Sequence, residues 1–459
     1  MTGMRRIVIV GGGASGVLLA VHLLRHRPDG LIVTLVEKRP ELGAGVAYAT
    51  RHPDHLLNVR ASNMSAFPDD PGHFARWLAG TAGTGNCGPD GFAPRRLYRD
   101  YLAHLTDPLF LDGQLRRVRG EAVALRDDAS GVEVLCRREG GPETALRGDV
   151  AVVATGNEGP SLPPEPWRYA GWGGEQERPP IPHDAPVVVI GTGLTMVDRV
   201  MWLLHDGHSG PITAVSRHGL MPQAHRPAAA FAVGEVPFGA PVLALTGWLR
   251  GRAAAAERAG AGWRAAVDGL RPHTQALWAG LPEAERRRFL RHARPFWDVH
   301  RHRIAPQAEA RLDEARARGQ LRVLAGHVTG FDPCPGGVAV SVKPRGAEGA
   351  EVLEAAAVFE CRGRAADVTR SENPALQDLL RGGRARPDAL GLGLDVTDGC
   401  ALVDAAGRAS DRLFAAGPVT AGTFWEIVAV PDIRQQAARL AGALLAGRAA
   451  ADAPDREVA

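Results

Sequence analysis

A chain of 459 residues, 45% hydrophobic and 23% charged, has room for two or three buried cores, and a formal charge of only +3 excludes a nucleic-acid surface built on bulk charge. Lys38 and Lys343 are the only lysines, so the cations are almost all arginine scattered along the chain, and Schiff-base chemistry has little to work with. The cysteines (Cys87, Cys136, Cys334, Cys361 and Cys400) form no C-x-x-C pair, which excludes a redox-active dithiol and an obvious zinc or iron–sulfur site and points to a reducing compartment.

The N-terminus runs straight into an apolar run at 5–10, without the charged, apolar and cleavage regions of a signal peptide, and no apolar run reaches the ~20 residues of a membrane span. A cytoplasmic protein with no membrane partner is expected. The run at 5–10 reads as a buried parallel strand, Ala14 to Arg25 as a helix, and Leu31 to Val36 as a second strand ending at Glu37. Tyr48 to Trp77 is loop-like, Arg96 to Leu105 helical, and 115–137 alternates as strands do. Asp149 to Gly156 is another buried strand ending in a turn, and the proline-rich stretch 160–186 reads as a linker. A second strand–helix–strand unit starts at Val187 and continues at Ile212 to Ser216. Residues 222–319 read as a helical insertion. Strands return at Leu321 to Phe331, Val338 to Val342, Ala357 to Cys361 and Leu413 to Gly417, before a closing helix Ile433 to Leu445 and a polar, frayed tail of about ten residues. The expected fold class is α/β, with two Rossmann-like dinucleotide-binding domains. The first is discontinuous (1–160 and 355–459), and the second (161–354) carries the helical insertion.

Two glycine-rich turns carry the chemistry. GGGASG places Gly11, Gly13 and Gly16 at GxGxxG spacing after the first strand, where the glycines allow the turn, the approach of a diphosphate and close helix–strand packing. The following helix offers N–H groups and a positive dipole end to the phosphates. Glu37 stands about 20 residues on, at a strand end, where a carboxylate accepts ribose hydroxyls. GTGLTM, Gly191 to Met196, is the second turn, with Gly193 in the middle and Met196 replacing the third glycine. After its next strand comes Arg217, where an acidic residue would favour NADH. A guanidinium there pairs bidentately with a 2′-phosphate and favours NADPH, with a surface arginine as the alternative. Two such turns about 180 residues apart imply a flavin in one half and a nicotinamide in the other.

These motifs, together with GVAYAT at 45–50, the segment 56–78, VVATG at 152–156, SRHGLMPQAHR at 216–226, WDVHRHRIAP at 297–306 and AAGPVTAGTFWE at 415–426, cover nearly the whole chain. Jointly they resemble the bacterial FAD/NAD(P)-binding flavoprotein family related to flavin-dependent N-hydroxylases and other class B monooxygenases. The resemblance implies FAD in the N-terminal fold, on Gly11, Gly13, Ser15, Gly16, Glu37, Gly156, Gly417 and Thr423, and NADPH (or NADH) in the second, on Gly191, Gly193, Thr195 and Arg217. Ala154-Thr155-Gly156 resembles the crossover between the two domains. Gly417 to Glu426 resembles the segment over the ribityl chain and flavin ring, but Pro418 stands where many flavoproteins have Asp, leaving backbone N–H groups near Thr423 as candidate donors. At Cys361-Arg362-Gly363, Arg362 replaces a small hydroxyl residue, and either a phosphate contact or a surface position suits it.

The implied activity is an NAD(P)H-dependent FAD monooxygenase that uses O₂ through a C4a-hydroperoxyflavin on a small substrate, first of all N-hydroxylation of an amine. Such a site needs hydrogen-bond donors and exclusion of water more than acid–base groups. Asn58, Ser62 and Asn63 are candidate donors and Met64 a candidate apolar wall, against the reading that the asparagines only cap turns. His300 and His302 lack an evident third metal ligand, and Arg301 and Arg303 are candidates for holding a substrate carboxylate. The runner-up activity is a flavin reductase, electron-transfer or quinone oxidoreductase without oxygen insertion; a non-catalytic flavin-binding sensor is the third. Substrate identity and oligomeric state are not legible.

Overall fold

The strand Arg5–Val10 is buried along its last four residues and lies between two parallel neighbours, Leu31–Glu37 and Val150–Val153. A strand covered on both faces has no polar side to present, so it reads as a continuous apolar run. In this computed structural model, which describes residues 4–447 apart from 27, 82–86, 139, 160–161, 172–180 and 364–366, the chain divides into two units.

The first unit comprises Met1–Thr50, Arg60–Glu158 and Ala365–Ala459. Its six-stranded sheet runs in the order Ala401–Val403, Ala409–Ala415, Val150–Val153, Arg5–Val10, Leu31–Glu37, Leu115–Arg119, parallel throughout except at the first pair. The helices Ala14–Leu24 and Val430–Leu445 bury nearly all their apolar residues, and a three-stranded antiparallel sheet, Glu121–Asp128, Gly131–Arg137 and Glu143–Gly148, completes the unit.

The second unit comprises Arg51–Val59 and Gly159–Arg364. Its seven-stranded sheet has the order Glu351–Ala355, Gly337–Pro344, Leu321–Cys334, Ile212–Ser216, Val187–Ile190, Ala357–Glu360, Arg168–Ala170. The five strands from Leu321–Cys334 onward pair in parallel, and the first three form an antiparallel meander. Successive residues enter different cores. Val187, Val189, Ala357 and Phe359 pack with Met196, Val200 and Leu312, whereas Val188, Ile190 and Val358 pack with Val338, Val340 and Trp167. This is the period-two alternation of a sheet with both faces covered.

The double α/β architecture agrees with the sequence expectation, but boundaries differ. By sequence Ala357–Glu360 falls in the first domain, with that domain resuming at 355. It pairs with Val187–Ile190 and Arg168–Ala170, and the chain re-enters the first unit only at 365. Its apolar sequence suits either sheet equally, so composition could not place it. The expected linker 160–186 contains a strand of the second sheet, Arg168–Ala170, while 160–161, 172–180 and the tail lie outside the described residues. Residues 51–59, inside the first expected domain, belong to the second unit. The insertion is helical from Val242–Arg258 to Pro306–Ala317. Residues 222–241, interrupted by Pro222, Pro227, Pro237 and Pro241, are irregular, and Ala224 forms a parallel bridge with Ile304. Among the described residues no helix is long and apolar enough to cross a membrane.

Candidate functional site

The first glycine-rich turn is built by close approach. Gly11 has φ +111°, and a Cβ there would lie 2.7 Å from the carbonyl carbon of Ala154 and 3.1 Å from the nitrogen of Thr155. The parallel strands bring both turns to the carboxyl edge of the sheet, where open α/β sheets bind ligands. Gly13 caps the helix Ala14–Leu24 without a side chain, so the first-turn N–H groups face outward for an anion. A Cβ on Gly13 would sit 3.3 Å from the Cα of Gly45, and one on Gly16 would strike the Gly11 carbonyl. Glu37 lies beneath: Oε2 accepts from the Gly12 nitrogen at 2.8 Å and Oε1 from the Arg39 nitrogen at 2.8 Å. A carboxylate with one bond per oxygen retains capacity for ribose hydroxyls. Ser15 meets Gly417, where φ is +75° and a Cβ would approach the Ser15 Cβ to 2.7 Å.

The turn after Val150–Val153 supplies a test of whether a dinucleotide fits here. Thr155 Oγ1 and Asn157 Oδ1 are buried without a hydrogen-bond partner among the described residues. Buried polar atoms rarely go unpaired, so both ask for a group that the described residues do not supply. Between them Gly156, with φ +77°, has no atom within 4 Å of its Cβ position. Thr423 departs from its expected role. Its nitrogen donates to the Thr420 carbonyl at 3.2 Å and its hydroxyl to the Val396 carbonyl at 3.1 Å, because the segment folds back on itself in a tight turn. Gly417 is similarly engaged, donating to Gln436 Oε1 at 2.7 Å.

The candidate oxygen-side residues fall in different units. Asn58 belongs with the second, where its carbonyl accepts from His225 Nε2 at 3.0 Å. Ser62, Asn63 and Met64 belong with the first. The backbone nitrogens of Ser62 and Asn63 donate to Pro89 and Arg60 carbonyls at 2.8 and 2.9 Å, the Asn63 side chain is exposed, and Met64 is buried. Two residues that sequence reading missed fasten this loop. Arg434 donates to the Ser65 carbonyl at 2.9 Å, and His22 Nε2 donates to the Ala66 carbonyl at 3.1 Å. Burial holds His22 below its ordinary pKa, against the opposing pull of this bond to the Ala66 carbonyl. The legible signal was a lone arginine on the buried face of the closing helix.

The second turn repeats the first. Gly191 has φ +112°, and a Cβ there would lie 2.6 Å from the carbonyl carbon of Cys361 and 3.1 Å from the nitrogen of Arg362. Gly193 caps the helix Leu194–His205, in whose first turn Thr195 is buried. Met196, at the missing third glycine, is fully buried in the core beneath. Thr192 Oγ1 bonds Ser216 Oγ at 2.8 Å and also the Leu220 carbonyl, which ties the turn to the strand end that presents Arg217 to solvent. Beside it, Arg345 Nη1 donates to His218 Nδ1 at 3.1 Å. Burial, then Arg345, Arg217 and His327, hold His218 below its ordinary pKa. Arg362 is ion-paired: its Nε donates to Glu360 Oε2 at 2.8 Å and its Nη2 to Oε1 at 3.0 Å.

Within the basic run of the insertion, Arg303 departs from the role of substrate ligand. Arg303 is buried, paired with Asp268, and donates to the His300 carbonyl at 3.0 Å, so it is committed to structure. His300 bonds the Phe296 carbonyl at 2.7 Å and packs on Trp263; His302 lies 3.7 Å from Asp298. No group of three metal-ligating side chains occurs among the described residues.

The strap 51–59 is held on the second unit by a histidine cluster. His205 Nδ1 bonds Asp54 Oδ2 at 2.9 Å, Arg311 pairs with the same carboxylate, and His55 Nε2 donates to the Asp198 carbonyl at 2.9 Å. Burial, then His55 and His205, push His52 down to about 4, against opposing Asp54 and Asp206. Docking therefore excludes a proton that free imidazole takes up near 6.5, so attachment is complete above that pH and weakens as pH falls from 6.5 towards 4. Hydrogen-exchange protection of 51–59 is expected to fall at most about tenfold between about pH 7.5 and about pH 5.5, and to be flatter in His52→Asn. Equal slopes in both proteins would contradict this.

Residues 8–158 match a family model described as FAD-NAD(P)-binding. No curated protein matches. Among solved structures, the chain is similar to an FAD-bound cadaverine monooxygenase of desferrioxamine biosynthesis from Erwinia amylovora (12% identity, 97% of this chain and 95% of that one, TM-score 0.68). It is also similar to the reduced form of ornithine hydroxylase from Pseudomonas aeruginosa (14%, 97% and 99%, 0.66) and to the ornithine N-hydroxylase of Kutzneria sp. 744, determined with reduced FAD, NADP⁺ and L-ornithine (16%, 96% and 99%, 0.63). At these identities the likeness establishes the fold.

Proposed function

We propose that this protein is an FAD- and NADPH-dependent monooxygenase that hydroxylates the nitrogen of a small amine. One observation carries the reading: a single chain contains two dinucleotide cradles of the same construction, at Gly11 and at Gly191, and no pair of cysteines to receive the electrons. Three of the similar structures, two ornithine hydroxylases and a cadaverine monooxygenase, support the amine as substrate class.

In the first unit, the N–H groups following Gly13 bind the FAD diphosphate, Glu37 takes ribose hydroxyls, and Thr155 Oγ1 and Asn157 Oδ1 gain the partner that the chain withholds. In the second, the Gly191–Gly193 turn and the helix Leu194–His205 bind the diphosphate of the nicotinamide, and Arg217 takes the 2′-phosphate. FAD held there would supply the redox chemistry, hydride acceptance and oxygen activation, and the nicotinamide would supply the hydride. The overall balance is amine, NADPH, a proton and O₂ to hydroxylamine, NADP⁺ and water. The protein's part is positioning and drying: His22 and Arg434 hold the 61–66 loop by its carbonyls, so that Met64 forms an apolar wall and Asn63 keeps its side-chain amide free to donate. Asn58, on the strap of the second unit, is the other proposed donor.

The test is product analysis. FAD-loaded protein in air with NADPH and a panel of diamines and diamino acids is expected to give a hydroxylamine matching the NADPH consumed. NADPH consumption that no amine accelerates, combined with rapid quinone reduction, would replace this reading with a reductase.

A further inference from the structure

The two turns correspond residue by residue. Val10 lies opposite Val153 and Ile190 opposite Glu360, both in parallel register, so Gly11 meets Ala154–Thr155 as Gly191 meets Cys361–Arg362. Arg362 thus occupies in the second unit the place that Thr155, with its unpartnered buried hydroxyl, occupies in the first.

What surrounds Arg362 is not needed to satisfy Glu360. The Glu360 side chain is fully buried, and Arg168, itself 12% exposed, already pairs with Oε1. Arg168 Nε donates there at 3.0 Å and its guanidinium lies over Phe331. Arg362 adds a second guanidinium to the same carboxylate, and it is 60% exposed. Among the described residues, one buried negative charge thus carries two cations, and the backbone of Arg362 lies against the turn that opens the helix Leu194–His205. A helix N-terminus is also positive, so an anion bound there suits the spare charge that Arg362 brings to the strand end beside it. We propose that Arg362 binds the diphosphate of the nicotinamide dinucleotide directly, that Glu360 is its positioning residue, and that Arg168 balances Glu360 so that Arg362 keeps its charge for the ligand. This rests on the second unit being the nicotinamide site.

The experiment titrates FAD-loaded protein with NADP⁺ and with NAD⁺ by calorimetry, in wild type, Arg362→Ala, Arg362→Lys and Arg217→Ala. Arg362→Ala is expected to weaken both dinucleotides by the same factor, about tenfold, and to lower the salt dependence of binding. Arg362→Lys should fall between, keeping the charge without the fork that holds Glu360. Arg217→Ala should weaken NADP⁺ alone. Unchanged affinity in Arg362→Ala, with flavin content and melting intact, overturns the proposal. A loss confined to NADP⁺ also overturns it, by placing Arg362 at the 2′-phosphate. Wild-type protein that binds neither dinucleotide overturns the nicotinamide assignment of the unit, and this proposal with it.

Discussion

Gly11→Ala is expected to purify without flavin. The φ of +111° lies outside the range an L-residue adopts without strain, and the added Cβ would sit 2.7 Å from the Ala154 carbonyl carbon. Strain of this kind costs about 1–3 kcal/mol, and relief requires the turn to leave the neighbouring strand end. That movement separates the helix N-terminus from Thr155 and Asn157, the groups proposed to share the cofactor. FAD affinity should fall at least about a hundredfold, which corresponds to about 2.7 kcal/mol. Flavin absorbance per protein and titration of the flavin-free form measure it. Circular dichroism and NADP⁺ binding should be unchanged, since the second unit has its own cores. Stoichiometric flavin in Gly11→Ala would show that the turn is not the cradle.

Gly191→Ala is the mirror experiment. The same geometry holds, with φ +112° and a Cβ 2.6 Å from the Cys361 carbonyl carbon. Here the protein should keep its flavin and lose the means of reducing it with NADPH, by at least about a hundredfold in kcat/KM at the same energetic cost. Dithionite, which needs no binding site, should still reduce the flavin. The two variants form a double dissociation: one removes the cofactor, the other the electron donor. Loss of flavin from Gly191→Ala would mean that the assignment of the units is wrong.

The glycine turns were legible because their chemistry is local: an apolar run, glycines at fixed spacing, then a helix. Glu37 was legible for the same reason, at a strand end about 20 residues on, and the structure adds that it also braces the turn through Gly12. What sequence could not show depends on which distant segments pair. Ala357–Glu360 reads like Ala151–Val153 because both are buried parallel strands, and only the hydrogen-bonding partner tells which sheet each serves. Arg362 was ambiguous until its neighbour two residues back proved to be a buried glutamate with a second arginine upon it. Thr423 looked available because a sequence does not display how a backbone turn consumes its own N–H groups. Arg303 reads as a candidate substrate ligand, but Asp268, on the helix Trp263–Leu270, pairs with it.

The strap 51–59 shows the same limit. Its histidines and Asp54 look like loop residues, yet they meet His205 and Arg311 from distant helices of the second unit. Asn58 travels with this strap, whereas Asn63 and Met64 stay with the first unit, so residues adjacent in sequence serve different bodies.

In the proposed reaction one atom of O₂ reaches a substrate nitrogen. Turnover under oxygen-18 gas, with FAD-loaded protein, NADPH and the best amine of the panel, tests it most directly. A hydroxylamine carrying the label is expected, one per NADPH consumed. NADPH oxidised with all the label recovered as hydrogen peroxide and none in any amine product, across the whole panel, would contradict it.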